Sequence, residues 1–175
     1  MKLTLILMTI GIFVCGQTQT DNKIREKIEG NFLGNGKKII ATAVKTKEAK
    51  GNPIEDGTPA VYEIRFSDKK LKPIKVGCCE IILINEGDLN QDGSDEISIY
   101  QAPTNGCTYA METYSNINGH WKTIVDRFLI PTGCEVISKD DLQKRIFREK
   151  NQIFYLEKDM REGNGKLIKK KVERK

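Results

Sequence analysis

Six stretches of the chain are short, rich in β-branched and aromatic residues, and cut apart by turn formers: KKIIATAVKT, AVYEIRF, CEIILI, EISIYQ, CTYAMETY and HWKTIVDRF. Between them lie GNP, EDG, NEGD and NING. Runs this short bury a face by alternation and are too brief for a helical stripe, so the chain is expected to be mostly β, folded as antiparallel hairpins. Asn118-Gly119 is a strong hairpin turn signal, because the favoured two-residue turn needs positive φ at both central positions; it predicts strands at 107–114 and 120–127. VYEIRF leaves its register open, since Val61, Ile64 and Phe66 do not share one parity. Two helices are expected. Ile24 and Ile28, four apart in DNKIREKIE, predict a short one over 21–29, and Ser138 with Asp141, which resembles a capping box, predicts another near residues 139–149. NQIFYLEKD and GKLIKKKVE then predict a final hairpin.

The first sixteen residues, MKLTLILMTIGIFVCG, place Lys2 ahead of twelve residues, Leu3 to Val14, that are apolar, Gly or Thr. That run is short for a bilayer span and has the layout of a signal peptide, which predicts export to the periplasm or cell surface. Cleavage after Gly16 is favoured, with Val14 and Gly16 as the small or tolerated positions before the cut; lipidation at Cys15 is the rival, and bulky Phe13 and Val14 suit it poorly. Residues 17–165 are then expected to form a single β-rich domain, followed by a basic tail, KLIKKKVERK at 166–175. Much of the net charge of +5 sits in that tail, which holds no aromatic residue, so nucleic acid is excluded as a partner and a solvated end is expected. Membrane contact is expected only through lipidation at Cys15.

Cys78, Cys79, Cys107 and Cys134 remain, an even set that suits disulfides in an oxidising compartment. Spacing does not choose among the pairings. On a strand, Cys78 and Cys79 would point to opposite faces, one toward Cys107 and the other toward Cys134. A zinc knuckle lacks its usual two-residue gap here.

Residues 87–97 read GDLNQDGSDEI. With Asp88 as position 1, Asn90 is 3, Asp92 is 5, Gly93 is 6, Ser94 is 7 and Glu96 is 9. Alternate oxygen-bearing residues converge when such a loop coils, and Gly at position 6 permits the sharp turn that brings the Ser94 carbonyl inward. Three carboxylates with no adjacent Lys or Arg repel each other unless a cation lies between them, and hard oxygen donors on a flexible loop favour Ca2+. A hydrated polar turn is the plain alternative. Position 12 is Ile99, so the loop is no EF-hand; it runs directly into EISIY, where Ile97 and Ile99 are expected to face the core and Ser98 and Tyr100 to face away. GNFLGNGKKIIAT, beginning at Gly30, has a related layout to GDLNQDGSDEISI, beginning fifty-seven residues later at Gly87.

The second of these runs resembles the FG-GAP or VCBS-type calcium-loop repeat, a Gly followed by D-x-(D/N)-x-D-G-x-x-D and a hydrophobic strand. The resemblance implies that Asp88, Asn90, Asp92, the Ser94 carbonyl and Glu96 are calcium ligands, with Glu96 where the family usually has Asp. Residues 30–42 resemble a degenerate copy: Asn31 and Asn35 stay polar, while Leu33 and Ile39 occupy donor positions. The family usually builds β-propellers. A closed propeller needs at least four blades of roughly 40–60 residues, more than this chain holds, so the expectation is a small single domain and not a closed propeller.

Other residues point away from catalysis. His120, the only histidine, follows the NG turn and is expected to face solvent or stack on Trp121; no nucleophile elbow accompanies it, so no enzyme is expected. Trp121, Tyr109 and Tyr114 make either a partner-binding patch or core, and the last two cannot share a face of an unbroken strand. The expected function is an exported, non-catalytic, calcium-binding recognition or scaffolding module with a protein or glycan partner. The alternative is a small periplasmic inhibitor or immunity-type protein that occludes a toxin or wall-degrading enzyme, its acidic loop plugging a basic cleft.

Overall fold

A computed structural model describes residues 24–159, 161 and 165–173. The leader-like segment 1–16, with Cys15, lies outside them. No helix among the described residues is long and apolar enough to cross a membrane.

The first sheet is a four-stranded antiparallel meander of β1 (Ile24–Gly30), β2 (Ile39–Lys47), β3 (Val61–Phe66) and β4 (Ile74–Cys78). The second repeats that plan with β5 (Ile81–Gly87), β6 (Glu96–Gln101), β7 (Thr108–Ile117) and β8 (His120–Pro131). A short helix, α1 (Lys139–Gln143), leads into a three-stranded antiparallel sheet of β9 (Ile146–Glu149), β10 (Gln152–Lys158) and β11 (Leu167–Lys171), with β10 in the centre. The mostly β expectation holds, and the sheets close into neither a barrel nor a propeller.

The second sheet is the middle layer because its strands are apolar on both faces, as buried strands must be. Ile81, Leu83, Ile97 and Ile99 pack with Ile39, Ala41, Ala43, Tyr62 and Ile64 of the first sheet. Ile84, Tyr100, Met111, Val125 and Phe128 pack on the other side with Leu142 and Ile146. All six residues of β6 are buried. Ile97 and Ile99 are therefore core as expected, but Ser98 and Tyr100 do not face away into solvent: the third sheet covers them. Tyr114 joins the first core and Tyr109 the second, as their opposite parity requires. In β3 it is Tyr62, Ile64 and Phe66 that face the first core, which settles the register of VYEIRF.

Two helix expectations are corrected. Ile24–Gly30 is strand β1, paired to β2, and not part of the helix expected over 21–29, whose first three residues lie outside the described ones; an apolar spacing of four in the sequence fits the period of a strand as readily as that of a helix. The second helix stops at Gln143. Ser138 does cap it, its hydroxyl accepting from the Asp141 N–H at 3.1 Å, but Ile146 to Glu149 pair with β10, and Phe147 stacks on Phe154. Strand pairing outweighs a helical preference that is worth only tenths of a kcal/mol per residue, roughly. The final hairpin is present, and it takes Leu167–Lys171 of the basic segment into the sheet. The turn at Asn118-Gly119 has φ of 53° and 80°, as its signal requires.

The cysteines pair as Cys78–Cys79 and Cys107–Cys134. The opposite-face argument fails because β4 ends at Cys78 and Cys79 has φ of 83°, so the pair occupies a corner rather than a strand. Cys107 and Cys134, with Cα atoms 4.8 Å apart, tie together the two ends of the β7–β8 hairpin.

Candidate cation loop between β5 and β6

The acidic loop joins the first two strands of the second sheet, where residues 31–38 join the first two strands of the first. The two loops share a backbone. Gly34 and Gln91 have φ of 66° and 63°, and Gly36 and Gly93 have φ of 76° and 91°. Asn31 Oδ1 accepts from the Gly36 N–H at 2.9 Å, and Asp88 Oδ2 accepts from the Gly93 N–H at 3.0 Å. Asn35 Oδ1 accepts from the Lys37 N–H at 3.0 Å, and Asp92 Oδ1 from the Ser94 N–H at 2.9 Å. Each loop is thus wound by Asx-type acceptors two and five residues ahead of the N–H they hold, and anchored by one buried apolar side chain, Phe32 or Leu89.

The loops also clasp each other. The Asn31 N–H donates to Asp95 Oδ2 at 2.8 Å, the Asp95 N–H donates to the Asn31 carbonyl at 3.1 Å, and Asn31 Nδ2 donates to the Gly93 carbonyl at 3.0 Å. A Cβ on Gly34 would lie 3.3 Å from that carbonyl oxygen, so the close approach suits glycine. Asp95 stands outside the ligand spacing, and its carboxylate, which also accepts from Asn85 Nδ2 at 3.0 Å, is a clamp between loops.

Each residue expected at the site has a definite place. Both Asp88 oxygens accept backbone N–H groups, from Asp92 and Gly93. Asn90 Oδ1 accepts from the Asp92 N–H at 2.8 Å, which leaves its Nδ2 as donor to Asp92 Oδ2 at 2.9 Å, Glu96 Oε1 at 3.1 Å and Ser115 Oγ at 3.0 Å. Three acceptors thus converge on an amide with two N–H groups. The Ser94 hydroxyl donates to Asp92 Oδ1. Glu96 is completely buried, and its Oε2 accepts from the N–H groups of Leu89 at 2.7 Å and Asn90 at 3.2 Å.

Around Glu96 a polar seam crosses the face of the middle sheet that looks toward the third. Ser98 and Thr113 share a hydrogen bond of 2.8 Å, Ser115 reaches up to the loop, and Glu86 lies at the sheet's margin with Oε2 accepting from Gln143 Nε2 at 2.9 Å. Among the described residues Glu86 Oε1 is buried with no hydrogen-bond partner. Burial pushes Glu96 up to about 7, against the opposing hydrogen bonds of Ser115, Asn90 and Leu89. Burial, reinforced by the charge of Glu96, pushes Glu86 up to about 8. Asp92 behaves differently: burial pulls its pKa up, but bonds from Ser94, Asn90 and Ser115 together hold it below the ordinary aspartate value.

Among the described residues no three His, Cys, Asp or Glu side chains are gathered as a metal-ligating group; the loop carboxylates are turned largely onto backbone and side-chain N–H groups. Sequence reasoning missed Ser115, Asp95 and Glu86. A serine twenty-five residues after Asn90 carries no local signal, and it enters only through strand register. His120 is exposed at the start of β8. Trp121 is half-buried against the first core, stacked on Phe66 at 4.9 Å, with Nε1 donating to the Lys72 carbonyl at 2.9 Å. Comparison of the chain with protein-family models, curated proteins and solved structures finds no match.

Proposed function

We propose that the protein is a non-catalytic recognition or scaffolding module of the cell periphery whose β5–β6 loop is ordered by calcium. One observation carries the calcium part. Asp92 Oδ2, Glu96 Oε1 and Ser115 Oγ surround a single amide nitrogen, beside a fully buried glutamate that forms no ion pair among the described residues. Hard oxygens crowded without a compensating charge are the donor set a calcium ion satisfies. Asp88, Asn90, Asp92, the Ser94 carbonyl and Glu96 are the residues that would hold it. Bound there, the ion would neutralise Asp92 and Glu96 and fix the loop against the start of β6, while Asp95 and Asn31 hold the neighbouring loop in place. The signal-like leader and the disulfides support an exported setting.

Calorimetric titration of the oxidised protein with calcium tests this reading, run beside Asp92→Ala. Saturable binding that weakens at least about tenfold in the variant is expected, since one charged ligand is lost. Equal responses of the two proteins would remove calcium from this loop.

A further inference from the structure

A groove of about 1180 Å³ opens between β8 and the third sheet, larger than the roughly 300–1,000 Å³ of small-molecule clefts. From β8 it is lined by Lys122, Thr123 and Ile124 in succession, then by Asp126 and Arg127. β8 pairs regularly with β7 over His120–Thr123 and is bulged beyond it, where the register shifts between Thr113 and Tyr114 and between Met111 and Thr113, so it is at Lys122 and Thr123, ahead of the bulges, that the groove meets a regular outer edge. Among the described residues β8 is the last strand of its sheet and pairs with β7 alone; β11, whose Lys170 and Lys171 also line the groove, is likewise an end strand.

The charges in the groove are unbalanced. Among the described residues Lys122, Arg127, Arg148, Lys170 and Lys171 face Asp126 and Glu173 as the acidic groups within it. Arg127 and Lys170 are paired, to Glu112 and Glu157. Among the described residues Lys122 and Lys171 have no acidic partner, and Arg148 spends its donors on the carbonyls of Leu89 and Lys150 and on Asn151 Oδ1. Ile124, Ile153 and Val172 place apolar surface between these cations.

We propose that this groove takes an extended acidic polypeptide segment of a partner protein, added as a strand along the open edge of β8 with its carboxylates against Lys122 and Lys171. An extended chain supplies the backbone donors and acceptors that the edge lacks, and its alternate side chains reach the lysines and the apolar surface. Lysine on an open edge repels a second lysine-bearing edge, which disfavours pairing with another copy of this chain and suits an acidic strand. The inference rests on the recognition reading and does not require calcium, although Asn90 lines the same groove.

The test is fluorescence anisotropy of a labelled peptide alternating glutamate with threonine, titrated with the full protein in calcium and again in a chelator. Saturable binding is expected, weakened at least about tenfold by Lys122→Glu and by Lys171→Glu, as for a lost desolvated charge contact. Methylating alternate peptide backbone nitrogens should weaken it as much. Both lysines are exposed, so circular dichroism of the variants should match the parent. Equal binding of the methylated peptide, of a glutamine-for-glutamate peptide or of dextran sulfate would overturn the proposal, as would a dimer in solution that the peptide fails to dissociate. Peptide binding that persists without any calcium binding would leave the groove standing and remove the calcium reading; saturable calcium binding with no peptide binding would do the reverse.

Discussion

The loops at 30–38 and 87–95 are built on one backbone plan and differ in what their side chains carry. Asn31, Leu33, Asn35 and Ile39 in the first stand where Asp88, Asn90, Asp92 and Glu96 stand in the second. Asparagine winds the first loop through the same backbone N–H groups that aspartate holds in the second. Negative charge is therefore unnecessary for the shape. At the ninth position the contrast is sharper: Ile39 and Glu96 are both completely buried, one as ordinary core and the other as a carboxylate whose pKa burial lifts to about 7. The acidic loop bears a desolvation cost that its neighbour avoids, and that difference, rather than the turn geometry, is what the proposed cation would relieve.

The largest test of the comparison concerns the anchors. Phe32→Ala should destabilise the protein by about 3–5 kcal/mol and Leu89→Ala by about 2–4 kcal/mol in urea unfolding, the costs of emptying sites in packed cores. A negligible loss at Leu89 would mean that the second loop is not pinned as the first is. Next comes pH. A carboxyl with a raised folded-state pKa binds its proton more tightly folded than unfolded, so its contribution is most favourable below the ordinary glutamate range and is lost as pH rises through the folded value. Without calcium, stability should fall as pH rises from near 4.5 through about 7 and 8, the values to which Glu96 and Glu86 are pushed, by about 3 kcal/mol for Glu96 alone. Glu96→Gln should remove its share of that slope, and a flat profile in chelator would show that the buried charge is already compensated. The smallest effect comes from giving the second loop the side chains of the first. Asp88→Asn with Asp92→Asn should leave the chelated protein within about 0.5 kcal/mol of the parent while weakening calcium by at least about tenfold, or ~1.4 kcal/mol. Unfolding of that variant would show that charge does shape the loop after all.

Much of the fold is legible because its strands follow a period of two and its turns use residues chosen for positive φ. Asn118-Gly119 marks the β7–β8 hairpin unaided, and Ile97 and Ile99 announce a core face. What the chain conceals depends on distant partners. Ile24 and Ile28 satisfy helix and strand periods alike until β2 is present to pair with them. Ile146 fits the continuation of α1 by spacing, and only β10 makes it a strand residue. Tyr100 looks like a solvent-facing position in EISIY until a third sheet covers it. At the site, the spacing of Asp88, Asn90, Asp92 and Glu96 can be read directly. Ser115 comes from another strand, and Asp95, which breaks the alternation, finds its role only when Asn31 is placed beside it.

Both disulfides are local. Cys78–Cys79 encloses no intervening chain, and Cys107–Cys134 closes a span of 27 residues around a single hairpin. Neither joins one sheet to another, so the layers cohere through side-chain packing, hydrogen bonds, ion pairs such as Lys139 with Glu26, and the connecting chain. Under tension applied across the layers, the third sheet would be held by noncovalent contacts such as the packing of Phe128 on Tyr155, 4.8 Å apart, and the hydrogen bond from Arg148 to the Leu89 carbonyl. The covalent reinforcement protects the corners of individual sheets; mechanical resistance between layers is left to noncovalent contacts, which can re-form once the load is released.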